Sequence, residues 1–308
     1  MNVLVTGGAG FIGSHVAETL LRQGNNVAVV DNFDGFYVPA MKRRNLKEIA
    51  LCGQVALFEA DICDRGALDH VFTSFRPDLI IHLAARAGVR PSIEQPELYE
   101  RVNVAGTLNL LEAARQHQVK AFVFGSSSSV YGESSPAPFR EDNYFLRPIS
   151  PYAATKLAGE NLCYTYSHLY RINIACLRFF TVYGPRQRPD LAIHKFTSLI
   201  ENDGDIPIFG DGSTGRDYTY VDDIVAGVLS AAGWCMKLGS EAGRYEVFNL
   251  GNSSPVRLNQ LVAAIEKATD KKARCKTLPA QPGDVPLTWA DISKAGSTLN
   301  YRPCTKLE

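Results

Sequence analysis

No stretch of this chain approaches the eighteen or so apolar residues that a membrane-crossing helix needs. Excess charge is missing too. Thirty-two Lys and Arg balance 32 Asp and Glu, so no nucleic-acid or anionic-membrane surface is expected. The seven cysteines (Cys52, Cys63, Cys163, Cys176, Cys235, Cys275, Cys304) contain no C-x-x-C pair. An odd, scattered set does not build a closed disulfide framework, so they read as reduced, packed thiols. The six histidines include no H-x-x-x-H pair and no neighbouring cysteine at ligand spacing, so no metal is expected. Internal repeats and low-complexity segments are absent, and the first residues already read as a strand, which makes the cytoplasm the expected compartment. What remains is 308 residues, enough to bury a large core in two lobes and to act on a small molecule.

The richest local signal lies at the start. The apolar run Asn2-Val3-Leu4-Val5-Thr6 breaks into Gly7-Gly8-Ala9-Gly10-Phe11-Ile12-Gly13 and then into the helix-forming Ser14 to Leu20. Strand, glycine turn and helix in that order bring backbone close to a pyrophosphate, which then sits on the unpaired N–H groups and positive dipole end of the helix. The glycines fall at Gly7, Gly10 and Gly13, a G-x-x-G-x-x-G spacing. A second apolar run, Val27 to Val30, ends in Asp31, eighteen residues after Gly13. A carboxylate there can accept both ribose hydroxyls and would repel a 2′-phosphate, so NAD is expected rather than NADP. Lys42, Arg43 and Arg44 read as a solvated helix face.

Strand-like runs at 2 to 6, 27 to 31, 55 to 59, 79 to 83, 121 to 125 and 173 to 179 alternate with helical patterns, including Asn103 to Gln116 and Tyr152 to Tyr170. Several are apolar throughout, as in Leu79-Ile80-Ile81-His82-Leu83, which fits a parallel sheet buried on both faces. The fold class expected is α/β, a doubly wound parallel sheet with a smaller, interleaved lobe. Residues 1–180 form the dinucleotide domain, with 217–250 returning to it. The Pro- and Gly-punctuated 181–216, together with 251–308, form the second lobe.

Tyr152-Ala153-Ala154-Thr155-Lys156 places a phenol and an ammonium one helical turn apart. That spacing alone also describes a surface pair. The serine run Ser126 to Ser129, however, follows the strand Ala121 to Phe124, where carboxyl ends of parallel strands hold ligands. Hydroxyl, phenol and ammonium beside a nicotinamide suit the oxidation of a carbinol. An ordinary tyrosine is only about 0.1% phenolate at pH 7. Lowering its pKa by about three, worth roughly 4 kcal/mol, would make about half of it an active base.

With these residues in place the chain resembles the extended short-chain dehydrogenases/reductases, in particular their nucleotide-sugar 4-epimerases. The resemblance runs through Thr6 to Gly13, Asp61-Ile62, His82-Leu83-Ala84-Ala85, Asn103 to Thr107, Ser126 to Gly132, Tyr152 to Lys156, and Arg216 to Asp223. It implies NAD held by Gly7, Gly10, Phe11, Ile12, Gly13, Asp31, Asn32, Asp61, Ile62, Leu83, Ala84, Ala85, Asn103, Tyr152 and Lys156. It implies Ser127 at the sugar O4 and Tyr152 as acid/base. A UDP-sugar partner and a homodimer built on Asn103 to Gln116 and Tyr152 to Tyr170 are further expectations, with Leu157, Leu162, Tyr166 and Leu169 as candidate apolar contacts.

Within that family the chain is most similar to enzymes of UDP-glucuronate, through Asp31-Asn32-Phe33, Ala87-Gly88-Val89-Arg90, Arg178 to Pro185, Arg188-Pro189-Asp190 and Gly283-Asp284-Val285-Pro286. It departs from them with Arg86 in place of a usual Gln, and Arg186-Gln187 in place of Trp-Gly. The expected reaction is conversion of UDP-glucuronate to UDP-galacturonate through a 4-keto intermediate. The alternatives are the same chemistry on UDP-glucose or UDP-N-acetylglucosamine, and a noncatalytic NAD-binding scaffold. Related dehydratases and decarboxylases carry carboxylates directly after the catalytic hydroxyl, whereas here Ser128 and Ser129 stand there. Those serines and Thr181 could therefore hold a substrate carboxylate by hydrogen bonds, helped by Arg186 or Arg188. An arginine beside prolines in a surface loop is as often solvated. Arg216 is expected at the diphosphate, and Arg90, Lys195 and Asp284 complete the expected substrate contacts.

Overall fold

The computed structural model describes residues 1–133, 135–237, 243–279 and 285–307. Asp284, expected at the substrate, lies outside the described residues. Six strands open the chain: β1 (Asn2–Thr6), β2 (Asn26–Asp31), β3 (Val55–Glu59), β4 (Leu79–His82), β5 (Ala121–Ser127) and β6 (Asn173–Phe179). The helices among and after them are α1 (Phe11–Arg22), α2 (Pro39–Ala50), α3 (Arg65–Phe75), α4 (Val89–Glu94), α5 (Pro96–Glu100), α6 (Gly106–Gln116) and α7 (Pro151–Tyr170). A π-helical turn over Arg101–Ala105 leads into α6, so the helical pattern beginning at Asn103 is widened at its start. The remaining elements are β7 (Thr181–Tyr183), α8 (Ala192–Glu201), β8 (Asp205–Phe209), β9 (Gly215–Tyr220), α9 (Val221–Lys237), β10 (Tyr245–Leu250), β11 (Pro255–Arg257), α10 (Leu258–Thr269), β12 (Arg274–Leu278) and α11 (Ser293–Leu299).

Seven strands form one parallel sheet in the order β10-β6-β5-β4-β1-β2-β3. The chain reverses direction across the sheet between β1 and β4, and a doubly wound sheet binds ligands in the crevice at that point. Val3, Val5, Val27, Val29, Ile81 and Val123 face one helical layer. Leu4, Ala28, Val30, Ile80, Phe122 and Phe124 face the other. Burial on both faces is the reason these strands read as continuous apolar runs.

The second lobe holds the small sheet β11-β9-β7 and the pair β12-β8, packed with α8 and α10 around Phe196, Ile206, Tyr218 and Leu261. Two boundaries differ from the sequence expectation. Residues 217–220 stay in the lobe as part of β9, and return to the main domain begins only with α9. The buried carboxylate of Asp217 accepts backbone N–H groups from Asn252, Ser253 and Ala290, which ties β9 to lobe segments. Near the end, α11 packs on the large domain, with Ala295, Leu299 and Tyr301 in its core. An amphipathic helix shows which face it buries but not what it is buried against.

Candidate active site

A cavity of about 450 Å³ opens at the carboxyl ends of β1, β4 and β5. Its floor is the glycine turn. A Cβ on Gly13 would lie 2.2 Å from the Gly7 carbonyl oxygen, so no side chain fits and α1 approaches β1 closely. The first-turn amides of α1 lack intrahelical acceptors, which makes this end of the cavity an anion site. Gly7, Gly10, Phe11, Ile12 and Gly13 all line it.

Asp31, Asn32, Asp61 and Ile62 line one end. Asn32 donates to Asp61 at 3.0 Å. Burial opposes ionisation of Asp61, but hydrogen bonds from the Cys63 N–H and Asn32 hold its carboxyl below the usual range. Asp31 accepts the Phe33 N–H at 2.9 Å and the Ala9 N–H at 3.2 Å, and its Oδ1 lies 3.4 Å from Lys42 Nζ. Lys42 is therefore not part of a solvated face. It is buried and lines the cavity, because α2 turns its first helical turn inward over Asp31.

The segment after Asp31 forms a strap across the cavity. Asp31, Asn32 and Asp34 each accept the N–H two residues on, at 2.9, 3.0 and 2.8 Å, so three successive Asx turns shape it. Phe36 is held between the guanidinium groups of Arg86, 4.9 Å from its ring centre, and Arg188, 5.3 Å away. Asp34 pairs with Arg86. Phe36, Tyr37 and Arg86 were not among the expected site residues. The signal in the sequence was two aromatics in a polar loop directly after the ribose acid.

Leu83, Ala84 and Ala85 line the middle. Behind them runs a buried polar chain in which the Thr107 hydroxyl donates to the Asn103 carbonyl at 2.6 Å and meets His82 Nε2 at 3.0 Å. Thr107 has thus used its proton, so Nε2 carries the hydrogen and Nδ1 accepts from Thr6 at 2.7 Å. Burial, with the Lys156 charge adding, pushes the His82 pKa to about 3, so the ring stays neutral. Asn103, expected on the cofactor, is spent elsewhere. Its amide accepts the Arg86 N–H at 2.8 Å and donates to the Arg86 carbonyl and Thr155 hydroxyl, both at 3.0 Å. It supports the cavity wall without reaching the cavity.

The reacting groups converge at the other end. Ser150 caps α7 by accepting the Ala153 N–H at 3.2 Å, and Pro151 occupies the first helical position, so Tyr152 stands in the first turn. Strand β5 runs two residues further than expected, carrying Ser127 to the cavity rim, where its hydroxyl accepts the Ser129 N–H at 3.2 Å. Lys156 Nζ donates to the Gly125 carbonyl at 2.6 Å. A Cβ on Gly159 would meet the Phe124 ring at 2.5 Å, so glycine there lets α7 lie against β5. Burial raises the Tyr152 pKa, opposed by a hydrogen bond from Ser127 and by the Arg188 charge. The lowering expected depends on Lys156 together with the positive nicotinamide ring, and burial of the phenol opposes it. Burial also lowers the Lys156 pKa to about 8.

Ser128, Ser129, Thr181 and Arg188 line the cavity beside Tyr152. Arg188 forms a bidentate pair with Asp190 at 2.9 and 2.8 Å. Arg186 does not join them. Its backbone is left-handed, with φ +63°, and its guanidinium turns to α1, where it pairs with Glu18 at 2.8 Å. Arg90, Lys195 and Arg216 do not line the cavity either: Arg90 lies over Phe209 at 4.7 Å, Lys195 is exposed on α8, and Arg216 lies on β9. No group of three or more potential metal ligands occurs among the described residues.

A family profile described as GDP-mannose 4,6 dehydratase matches residues 4–308. The UDP-glucuronate 4-epimerase of Thermodesulfobacterium geofontis is 44% identical over 99% of this chain and 92% of its own. Among solved structures, the UDP-glucuronic acid 4-epimerase of Bacillus cereus in complex with UDP-glucuronic acid and NAD superposes with a TM-score of 0.89 at 37% identity, covering 100% of this chain and 95% of that one. The UDP-glucose 4-epimerase of Thermotoga maritima with UDP-glucose also gives 0.89, at 34% identity and the same coverage.

Proposed function

The chain belongs to the extended short-chain dehydrogenase/reductase family, within its NAD-dependent UDP-sugar 4-epimerases, and from that premise we propose that its substrate is a UDP-hexuronate, interconverted between UDP-glucuronate and UDP-galacturonate. NAD fits the cavity: the glycine turn admits no Cβ, the α1 amides suit its pyrophosphate, and Asp31, Asn32 and Asp61 suit its adenosine. Bound NAD supplies a hydride acceptor that later returns the hydride. Ser127 holds the C4 oxygen, Tyr152 takes the C4 hydroxyl proton, and Lys156 stabilises the phenolate electrostatically. After the 4-keto sugar turns over, its opposite face is the one open to hydride return at C4, and Tyr152 gives the proton back to O4.

The observation that carries the uronate reading is that Ser128, Ser129, Thr181 and Arg188 line the same cavity as Tyr152. Three hydroxyls and a guanidinium suit a carboxylate, and serines stand where a repelling acid would sit. Purified protein incubated with UDP-glucuronate, UDP-glucose and UDP-N-acetylglucosamine, followed by NMR of products, tests it. UDP-glucuronate is expected to turn over fastest; faster conversion of UDP-glucose would overturn the uronate assignment. We place the UDP moiety toward the second lobe, beyond the cavity that suits NAD, where β9 carries Arg216 as the candidate for its diphosphate.

The proposed assembly is a homodimer through α6 and α7. Of the apolar residues expected there, Leu157 and Leu162 are partly buried and Tyr166 is buried within the chain, its hydroxyl donating to Glu112. Leu169 is exposed, together with Tyr164. The reading therefore rests on Ala154, Asn161, Tyr164, His168 and Leu169, exposed along one side of α7. Light scattering is expected to give twice the 33.7 kDa chain mass, and the chain mass alone would remove it. Seven free cysteines fit a reducing compartment, and the cytoplasm is the proposed location.

A further inference from the structure

Directly behind the serine run lies a buried ion pair that the reaction above does not use. Glu160 and Arg178 are 2% and 3% exposed. Arg178 Nε donates to Glu160 Oε1 at 2.9 Å, and Nη2 donates to Oε2 at 2.7 Å. Ser126 Oγ donates to the same Oε1 at 2.5 Å. Ser126 stands opposite Arg178 in the sheet register, and the guanidinium lies 4.7 Å from the Tyr131 ring centre. Arg178 Nη1 is buried without a hydrogen-bond partner.

Stability does not explain this arrangement. Taking both charges out of water costs about what their attraction returns, and apolar residues of similar volume commonly do as well. Location is more informative. Tyr152, Lys156 and Glu160 recur every four residues and so share one face of α7. Lys156 is held by the carbonyl of Gly125, and Glu160 holds the hydroxyl of the next residue, Ser126. The residue after that is Ser127.

We propose that Glu160, clamped by Arg178, is a positioning residue for the C4 chemistry: it fixes the end of β5 through Ser126 and places a fixed negative charge one turn from Lys156. The inference rests on the epimerase reading above. Around Lys156 stand His82 from β4, Cys163 and Glu160 from α7, and Cys176 from β6, with Arg178, Tyr131 and Tyr245 around Glu160. His82 is neutral, and burial raises the Cys176 thiol and the Tyr245 phenol well above their usual ranges. Glu160 is therefore the carboxylate in this set that favours the ammonium form, against a desolvation that lowers the Lys156 pKa to about 8. Removing an anion disfavours the ammonium, so Lys156 would release its proton at lower pH.

The test compares Glu160→Gln, the double variant Glu160→Gln/Arg178→Met and Ser126→Ala with the unmodified holoenzyme. The double variant leaves no unpaired guanidinium if the single one fails to fold. In either Glu160 variant that folds, kcat for epimerisation should fall about ten- to a hundredfold, with KM within about threefold. The Lys156 ionisation, read by NMR of ¹⁵N-lysine side chains, should move down by about one pH unit in Glu160→Gln, together with the limb of the rate profile that tracks it, and in the same direction by less in the double variant, which also removes the Arg178 charge. Ser126→Ala keeps the charge and should lower kcat by only a few-fold, with the Lys156 ionisation unmoved. A folded Glu160 variant with unchanged Lys156 titration and unchanged kcat would overturn the inference. The NMR titration needs no turnover. Failure of the epimerase reading would show as an inactive unmodified enzyme, whereas failure of this inference would show as an unmoved Lys156.

Discussion

Replacing Tyr152 by Phe is expected to lower kcat by about 10³-fold on every UDP-sugar the enzyme accepts, with KM nearly unchanged. The ring would keep its place in the first turn of α7, so the loss is that of a proton acceptor at C4, and general acid–base groups contribute roughly 10² to 10⁴. Tyr152 is half-buried and lines the cavity with Ser127 and Lys156, whereas the cavity's other phenol, Tyr37, stands against Lys42, whose Nζ lies 5.3 Å from its ring centre. Ser127→Ala should give a smaller loss, roughly ten- to a hundredfold, since it removes an orienting hydrogen bond and leaves the base. Steady-state assays on two sugars read both effects. A Tyr152→Phe variant retaining a tenth or more of the unmodified rate would mean that the acid/base lies elsewhere.

The second large effect concerns the carboxylate. Ser128→Ala and Thr181→Ala are each expected to weaken kcat/KM for UDP-glucuronate by roughly tenfold to 150-fold, because a hydrogen bond to a charged group contributes about 1.5 to 3 kcal/mol. Turnover of UDP-glucose should change by about threefold or less, as no charged group is lost from that complex. Arg188 is less diagnostic, since its charge also reaches the Tyr152 phenol. The 4-keto uronate is a β-keto acid and can lose CO2 when its carboxylate is loosely held, so a UDP-pentose by-product should rise in both variants. Mass spectrometry of the products detects it. Equal losses on both sugars with no pentose formed would leave the carboxylate assignment without support.

Two neighbouring arginines show where reading by sequence stops. Arg186 and Arg188 stand in the same proline-flanked loop and have the same chemistry, yet one pairs with Glu18 of α1 and the other enters the cavity. The backbone is left-handed at Arg186, and its guanidinium reaches Ser14 and Glu18 on a helix about 170 residues earlier. Arg86 was visible as a departure from the family pattern, but its stacking on Phe36 was not. Lys42 read as one cation in a basic helix. Only the docking of α2 over β2 brought it to Asp31.

What the sequence determined by itself were features whose cause lies within a few residues. The strand, glycine turn and helix of 2–22 follow from apolar continuity and from steric limits at Gly13. The alignment of Tyr152 with Lys156 follows from helical periodicity once Ser150 and Pro151 start α7. The parallel sheet follows from strands apolar on both faces. The tertiary structure decided everything that needed a distant partner. It turned Asn103 from the cofactor to the Arg86 backbone, folded the Asp31 to Tyr37 strap over the cavity, sent α11 back to the large domain and joined Glu160 to Arg178 and Ser126. A buried charge or amide must find a partner, and composition and periodicity record that need without recording which of many distant groups meets it.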